Sequence, residues 1–174
     1  MTDTDTDTDT DTDTEVRREL LEYLEYQRAS VRSIVGGLSE DGWQTPVVVS
    51  GWTVAGIVEH LGNAERHWFQ EVVAGLREDQ PWDEGRPPYA PAMAFTCDRP
   101  SREVLGYYRA QCDRSDAILA GVSLADPPRG RHRGDEIPNV RVVILHLIEE
   151  TAAHSGHLEI ARELLDGKTG LGLR

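Results

Sequence analysis

One stretch near the C-terminal end of the chain concentrates side chains that bind metals. Residues 145–159 have a helical pattern that places His146, Glu150, His154 and His157 within an arc of about 80°. A stripe of imidazole and carboxylate is costly to bury unless a partner pairs with it, and a divalent cation is such a partner. The spacings of four and three residues let two side chains converge on one ion. The alternative is a solvated helix face, where His and Glu are common.

A further histidine occupies an unusual position in an earlier helical stretch. His60 falls within the apolar stripe formed by residues such as Ile57, Leu61 and Val72. It is either a core histidine held by a hydrogen bond or a metal ligand. His67 lies two turns further at a similar azimuth, which places it at the mouth of a cavity rather than at its centre.

The composition of the chain limits the classes of protein to which it can belong. The 174 residues carry a net charge of -13, and six of the acids are aspartates in the Thr-Asp repeat of residues 2–14. That repeat has nothing to bury, so we expect disorder over residues 1–14 and one folded domain over residues 15–174. An acidic chain disfavours nucleic acid as a partner, and no apolar run is long enough to span a membrane. Cys97 and Cys112 lack a CxxC spacing, which favours a reduced cytoplasmic protein.

Four helical patterns must position these side chains. Apolar spacing and capping residues predict helices over about 15–38, 53–74, 101–120 and 139–167. Thr53 and Ser101 are the expected N-terminal caps, Pro138-Asn139 opens the last helix, and Gly167 ends it. Four helices of about twenty residues without a convincing strand predict an all-α fold, a four-helix bundle, in which metal sites form between facing helices.

Two of the three connections between these helices carry candidate ligand contacts. The Pro-rich crossover 78–100 carries Trp82, Tyr89 and Phe95, which either cover a pocket or pin the crossover to the bundle. The loop 124–138 contains a basic cluster that is either solvated or in contact with an anionic group of a ligand. The cluster consists of Arg129, Arg131, His132 and Arg133.

Two segments together resemble a known family. Residues 51–69, with Gly51-Trp52-Thr53, Glu59-His60-Leu61 and Glu65-Arg66-His67-Trp68-Phe69, resemble the second helix of DinB-like proteins. Residues 146–157 resemble their last helix. The chain is most similar to the mycothiol-dependent S-transferases and the maleylpyruvate isomerase-like branch, over about residues 18–170. The resemblance implies a four-helix bundle of up-down-down-up topology with a long crossover.

The resemblance also implies a ligand set. Family members hold a divalent ion with one histidine from the second helix and two ligands, four residues apart, from the last. The matching positions here are His60, Glu150 and His154, with Glu in place of His as in the isomerase-like relatives. His157 remains an alternative third ligand, a partner of a ligand or a substrate contact.

From the resemblance we expect a metal-dependent thiol S-transferase. Zinc is the expected ion, with Ni, Mn or Fe also compatible, and mycothiol is the expected thiol co-substrate that attacks an electrophilic small molecule, as in detoxification. Glu149, Glu65 and His67 are candidates to orient ligands or relay a proton, and His157 and Trp68 are candidate cofactor contacts.

Two other functions remain open at this stage. A metal-assisted hydrolase would use the same site to activate water. A non-catalytic metal-binding or structural bundle would use the histidines only to satisfy a polar core. A homodimer is compatible with each of these functions, and the sequence names neither the electrophile nor the metal.

Overall fold

The computed structural model describes residues 4–76, 95–133 and 135–170, with side chains described from residue 13 on. These residues form helices and contain no strand, so the predicted all-α bundle is confirmed. The α-helices are α1 (Thr4–Val35), α2 (Glu40–Gln44), α3 (Val54–Glu65), α4 (Ser101–Leu119) and α5 (Val140–Asp166). A π-helical segment (Arg66–Val73) continues α3 without a break.

The first helix begins earlier than predicted. We expected it to start at Glu15 after a disordered repeat, but the described backbone is helical from Thr4 onward. The helical hydrogen bonding of the backbone therefore continues into the Thr-Asp repeat, which the absence of apolar residues did not indicate. The division of the chain into residues 1–14 and 15–174 stays a prediction.

Side-chain caps fix the ends of the helices that carry the candidate site. Thr53 Oγ1 accepts a hydrogen bond from Gly56 N at 3.1 Å at the start of α3. Asn139 Oδ1 accepts one from Val142 N at 3.2 Å at the start of α5. Gly167 ends α5 in the left-handed conformation, with φ of 74°. These three predictions from the sequence are confirmed.

The prediction that Ser101 caps the third predicted helix is wrong. Ser101 is the first residue of α4, and Pro100 stands at the cap position without a side-chain hydrogen bond. The carboxylate of Glu40, from α2, accepts hydrogen bonds from both the backbone N–H and the hydroxyl of Ser101. These bonds hold the pKa of Glu40 below its usual range. Glu40, which is distant in sequence, thus takes the place of a local capping side chain at the start of α4.

The second predicted helix changes its hydrogen-bonding period halfway. We expected a regular helix to about Ala74, but beyond Glu65 the chain forms a π-helical turn, and Ala74 N donates to Phe69 O at 3.0 Å. A π-turn spaces residues more widely around the axis than an α-turn and frequently occurs at functional sites. The segment therefore re-aims the side chains from Arg66 to Val73.

Apolar side chains form two connected layers inside the bundle. The main helix contacts join α1 to α5 and α3 to α4. One layer surrounds Ile57, Leu61 and Leu158, and the other surrounds Phe69 and Leu147. The apolar residues predicted for the inner face of the second helix are buried: they are Ile57, Leu61, Ala64 and Val72. His60 and Trp68, which we placed on the same face, are only half-buried.

A buried ion pair crosses this core. Arg28 of α1 and Glu65 of α3 are each 1% exposed. The guanidinium donates from Nε and Nη2 to the two carboxylate oxygens, both at 2.8 Å, and from Nη1 to Asp116 Oδ1 of α4 at 2.7 Å. Arg28 therefore links three helices through one planar group.

Part of the crossover cannot be compared with its prediction. Trp82 and Tyr89 fall outside the described residues, whereas Phe95 lies within them. No helix among the described residues is long and apolar enough to cross a membrane.

The ion pair supplies a stability prediction. Glu65→Gln leaves the buried Arg28 charge without its partner, so we expect a loss of about 3–5 kcal/mol in the free energy of unfolding, measured by urea denaturation. The matched control is Asp116→Asn, whose carboxylate is 59% exposed and contributes about 0–1 kcal/mol. Equal losses in the two variants would contradict this account of the core.

Candidate functional site

Three side chains from two helices converge on one point. His60 Nε2 of α3 donates to Glu150 Oε1 of α5 at 2.8 Å. His154 Nε2, one turn further along α5, lies 3.3 Å from the same oxygen. The three atoms lie within 4.8 Å of one another. The sequence indicated His60 by its place in the apolar stripe of α3. It indicated Glu150 and His154 by their spacing of four residues along α5.

The donor set fits a divalent cation. Two imidazole nitrogens and one carboxylate oxygen are typical zinc ligands, and tetrahedral bonds of zinc to N and O place neighbouring ligand atoms about 3.3 Å apart. The separations of 2.8 and 3.3 Å from Glu150 Oε1 are close to that value. The side chains of His60 and Glu150 are 27% and 28% exposed, so a small molecule can reach them.

The electrostatics of the cluster keep its carboxylate charged. The hydrogen bonds from His154 and from His60 hold the pKa of Glu150 well below its usual range, although burial acts in the opposite direction. Glu150 is therefore an anion at neutral pH. A negative oxygen between two imidazoles is an arrangement that a cation stabilises further.

One feature of the cluster departs from common metal sites. Nδ1 of His154 is buried and has no hydrogen-bond partner among the described residues. A ligating histidine usually donates this N–H to a carboxylate or carbonyl, which fixes its tautomer. The protein therefore orients His154 by packing, with Phe95 at 5.7 Å and His157 at 5.4 Å between ring centroids.

His157 lies outside the converging group. Its exposed ring stands edge-on to Trp52 at 5.9 Å, beside His154 rather than between the two histidines. Between the two alternatives for the third ligand, the structure brings Glu150 and not His157 against both nitrogens. The position of His157 at the rim suits a contact to a ligand.

The three residues expected to support the ligands are scattered. Glu65 is engaged by Arg28 and does not reach the cluster. Glu149 is exposed, about 100° around α5 from Glu150. His67 joins a different group of polar side chains and contacts none of the three ligand atoms among the described contacts.

Trp68, a predicted cofactor contact, packs against three imidazoles, one of which belongs to its neighbour His67 at 5.3 Å. His132 stacks on its ring at 4.6 Å and His146 approaches it at 4.4 Å between centroids. His146, which we placed on the metal-binding stripe, thus contacts Trp68 one turn before Glu150. Sequence reasoning assigned His132 only to a basic loop cluster, and its pairing with this helix has no signal in the local sequence.

A groove of about 540 Å³ lies elsewhere on the molecule, between the C-terminal parts of α1 and α5. Its lining includes Tyr26, Ser33, Glu159 and Lys168 but none of the three residues of the converging cluster. The size of a cavity therefore does not locate the candidate site. Its chemistry does, because among residues 13–76, 95–133 and 135–170 only the His60 cluster brings three potential ligand atoms together at a point that solvent reaches.

The backbone holds Phe95 over His60. Thr53 N donates to Phe95 O at 2.9 Å, and the two rings of Phe95 and His60 lie 4.4 Å apart. Gly56 permits this approach, because a Cβ there would lie 1.9 Å from Phe95 O. The glycine in the first turn of α3 therefore determines what covers His60.

Comparison with known proteins shows which family and which individual proteins this chain resembles. The family model described as mycothiol-S-transferase matches residues 19–167. A protein from Geobacillus thermodenitrificans (strain NG80-2) named "Putative metal-dependent hydrolase" is 40% identical over 52 residues, which are 30% of this chain and 29% of that protein. One of the same description from Geobacillus kaustophilus (strain HTA426) is 38% identical over 53 residues, 30% of each chain. The chain thus spans about three tenths of the length of these curated relatives.

The cover on His60 can be tested by substitution. Gly56→Ala forces the segment at Phe95 away from α3, so we expect a loss of about 1–3 kcal/mol in urea denaturation and faster modification of His60 by diethyl pyrocarbonate. Gly106→Ala is the control, because a Cβ there meets nothing within 4 Å and alanine favours the helix by about 0.5–1 kcal/mol. Unchanged stability in Gly56→Ala would show that Phe95 does not pack as described.

Proposed function

The chain belongs to the mycothiol-S-transferase family, and from this membership we propose that it is a divalent-metal-dependent thiol S-transferase. The observation that carries the proposal is the convergence of His60 Nε2, Glu150 Oε1 and His154 Nε2 on one point. These three atoms are the proposed ligands of the cation. Zinc suits two nitrogens and one oxygen, and Ni, Mn and Fe are compatible with the same donors.

The chemistry requires a thiol in its reactive form. A divalent cation at these ligands lowers the pKa of a coordinating thiol, so that the thiolate persists at neutral pH. Three protein ligands are the number found in catalytic zinc sites, which keep a position open for substrate. The proposed thiol is mycothiol, as the family's name states.

The side chains of this protein perform three tasks in the proposal. The Glu150 carboxylate balances the charge of the cation, and the two histidines fix its position between α3 and α5. Phe95, packed on His60, excludes water from one side of the cluster. His157 and Trp52 form the rim on another side, where they contact the co-substrates.

The proposed reaction is a substitution or addition at an electrophilic carbon. The thiolate sulfur forms a bond to that carbon. In a substitution the electron pair of the broken bond leaves with the departing group. In an addition the electron pair of the double bond moves to the neighbouring atom, which takes up the proton that the thiol lost. No nucleophilic side chain is needed, and Cys112 is unsuited to that role because burial raises its pKa to about 12. The proposed partners are therefore two small molecules, in the reduced cytoplasm where thiols accumulate.

A second function has one observation in its favour. The two Geobacillus relatives carry the name of a metal-dependent hydrolase, although they match only 52 and 53 residues of this chain. A site that binds a thiol can also bind water and lower its pKa. Hydrolysis of an ester or amide is therefore the alternative reaction.

The proposed ligand set makes a prediction about metal content. After loading with zinc and removal of excess metal, the wild type should retain about one ion per chain and His154→Ala less than a tenth of that. His157→Ala is the matched control, since it removes a neighbouring imidazole that does not touch Glu150, and it should retain the metal. Loss of metal in the control together with retention in His154→Ala would contradict the assignment.

Thiol dependence separates the two reactions. In calorimetry, mycothiol should bind the zinc-loaded wild type saturably and should not bind the zinc-depleted protein, because the open metal position receives the sulfur. Conjugation of monochlorobimane should then require both zinc and thiol. Hydrolysis of p-nitrophenyl acetate at equal rates with and without mycothiol, in the absence of any conjugation, would favour the hydrolase.

A further inference from the structure

A second group of polar side chains lies outside the proposed metal ligands. It joins the π-helical segment to the loop before α5. His67 Nδ1 donates to Glu71 Oε2 at 2.8 Å, and His67 Nε2 lies 2.9 Å from His132 Nδ1. A carboxylate and two imidazoles thus form a continuous chain of hydrogen bonds.

The carboxylate fixes the direction of this chain. An ionised carboxylate only accepts hydrogen bonds, so Nδ1 of His67 carries the proton. The lone pair of neutral His67 is then on Nε2, which requires His132 to donate from Nδ1. His132 consequently presents a lone pair at Nε2, the open end of the chain. The arrangement orients an imidazole as a base in the same way as a carboxylate–histidine pair in acyl-transfer enzymes.

The backbone is built to bring His132 to His67. The Val72 and Val73 carbonyls of the π-helical segment accept hydrogen bonds from Gly130 N at 2.8 Å and Arg129 N at 3.1 Å. Any side chain at position 130 would collide with the helix, because a Cβ there would lie 2.2 Å from Glu71 O. A glycine and two carbonyls at the end of the π-helical segment therefore set the loop in place two residues before His132.

The surroundings favour the neutral form of His132. Burial, followed by the proximity of His67 and of Arg133, lowers the pKa of His132 below its usual value. His146 acts in the same direction and Asp135 in the opposite one. At the other end, Arg66 Nη2 lies 3.8 Å from Glu71 Oε1, so a positive charge faces that carboxylate.

The group is connected to the proposed metal ligands through aromatic contacts. His132 stacks on Trp68, and Trp68 contacts His146, which precedes Glu150 by one helical turn. One turn spans about 6 Å along the axis. Along these contacts the His132 ring and the Glu150 side chain are therefore at most about 15 Å apart, so one small molecule can contact both.

We propose that Glu71, His67 and His132 form a proton relay whose acceptor is Nε2 of His132, serving a hydroxyl or thiol group of a ligand that extends along this face. The O–H or S–H bond breaks, its electron pair stays on oxygen or sulfur, and an N–H bond forms at His132 Nε2. The Nδ1 proton of His132 moves to His67 Nε2, so the positive charge comes to rest on His67 beside Glu71. His67 and Glu71 are positioning residues. The identity of the ligand rests on the proposed function, whereas the relay itself does not.

The first test reads the tautomers directly and needs no activity. In ¹⁵N-labelled, zinc-loaded protein at pH 7.5, long-range ¹H–¹⁵N correlation spectra should show His67 and His132 both neutral and protonated at Nδ1. Glu71→Ala should abolish this preference in His67, while Glu136→Ala, an exposed acid on the same loop, should leave it unchanged. A wild-type His132 protonated at Nε2 alone would overturn the proposal.

The second test separates the relay from metal and thiol binding. With mycothiol and monochlorobimane, His132→Gln should lower kcat at least about 100-fold, as loss of a positioned base does, without changing zinc content or thiol affinity. Gly130→Ala should have a similar effect, because it displaces the loop, and the double variant His67→Gln/His132→Gln should be no slower than His132→Gln. A kcat within threefold of wild type in His132→Gln, or a parallel loss of zinc, would overturn the relay. If the wild type conjugates no substrate, the proposed function fails while the tautomer result stands.

Discussion

The bidentate pair between Arg28 and Glu65 is the interaction on which the rest of the molecule depends. Both groups are 1% exposed, and a buried charge is tolerated only when its partner is in place. Glu65 is the last residue of α3 before the π-helical turn, so the pair fixes α3 relative to α1 at that junction. His60 precedes the junction and His67 follows it. The two groups of polar side chains therefore take their positions from one ion pair.

These two groups use carboxylate and imidazole in different ways. One carboxylate oxygen of Glu150 lies close to two histidines from separate helices. This places a negative charge next to two imidazole nitrogens, an arrangement suited to binding a cation. Glu71 lies at one end of the hydrogen-bonded chain Glu71–His67–His132. A positive charge that forms when His132 accepts a proton can therefore move to His67, beside the Glu71 carboxylate. The end of the π-helical segment supports the second arrangement, because the carbonyls of Val72 and Val73 there hold the loop of His132. A single face of the bundle thus combines a proposed electrophilic centre with a proposed base.

The sequence correctly predicted the features that depend on residues close together in the chain. The helices follow from apolar spacing, and Thr53 and Asn139 follow from the ability of their side chains to cap a helix. Contacts between distant segments were missed, because in the sequence Arg28 and Glu65 resemble charged residues of the surface. The one available signal was that Arg28 falls at an apolar position of the helical pattern of α1. The π-helical segment leaves no mark in the apolar pattern. His132 was missed as a partner of the helix because backbone hydrogen bonds from the loop, and not its own neighbours, place it there. The proposed metal ligands were predictable because their spacing and the family resemblance agree.

X-ray absorption at the zinc edge of the loaded protein, before and after addition of mycothiol, tests the central claim most directly. The account predicts a first shell of nitrogen and oxygen alone in the thiol-free protein, at about 2.0–2.2 Å. On addition of thiol, one sulfur should enter that shell at about 2.3 Å. A sulfur ligand before the thiol is added would point to a cysteine in place of the proposed ligands. A shell that gains no sulfur at saturating thiol would contradict the S-transferase account.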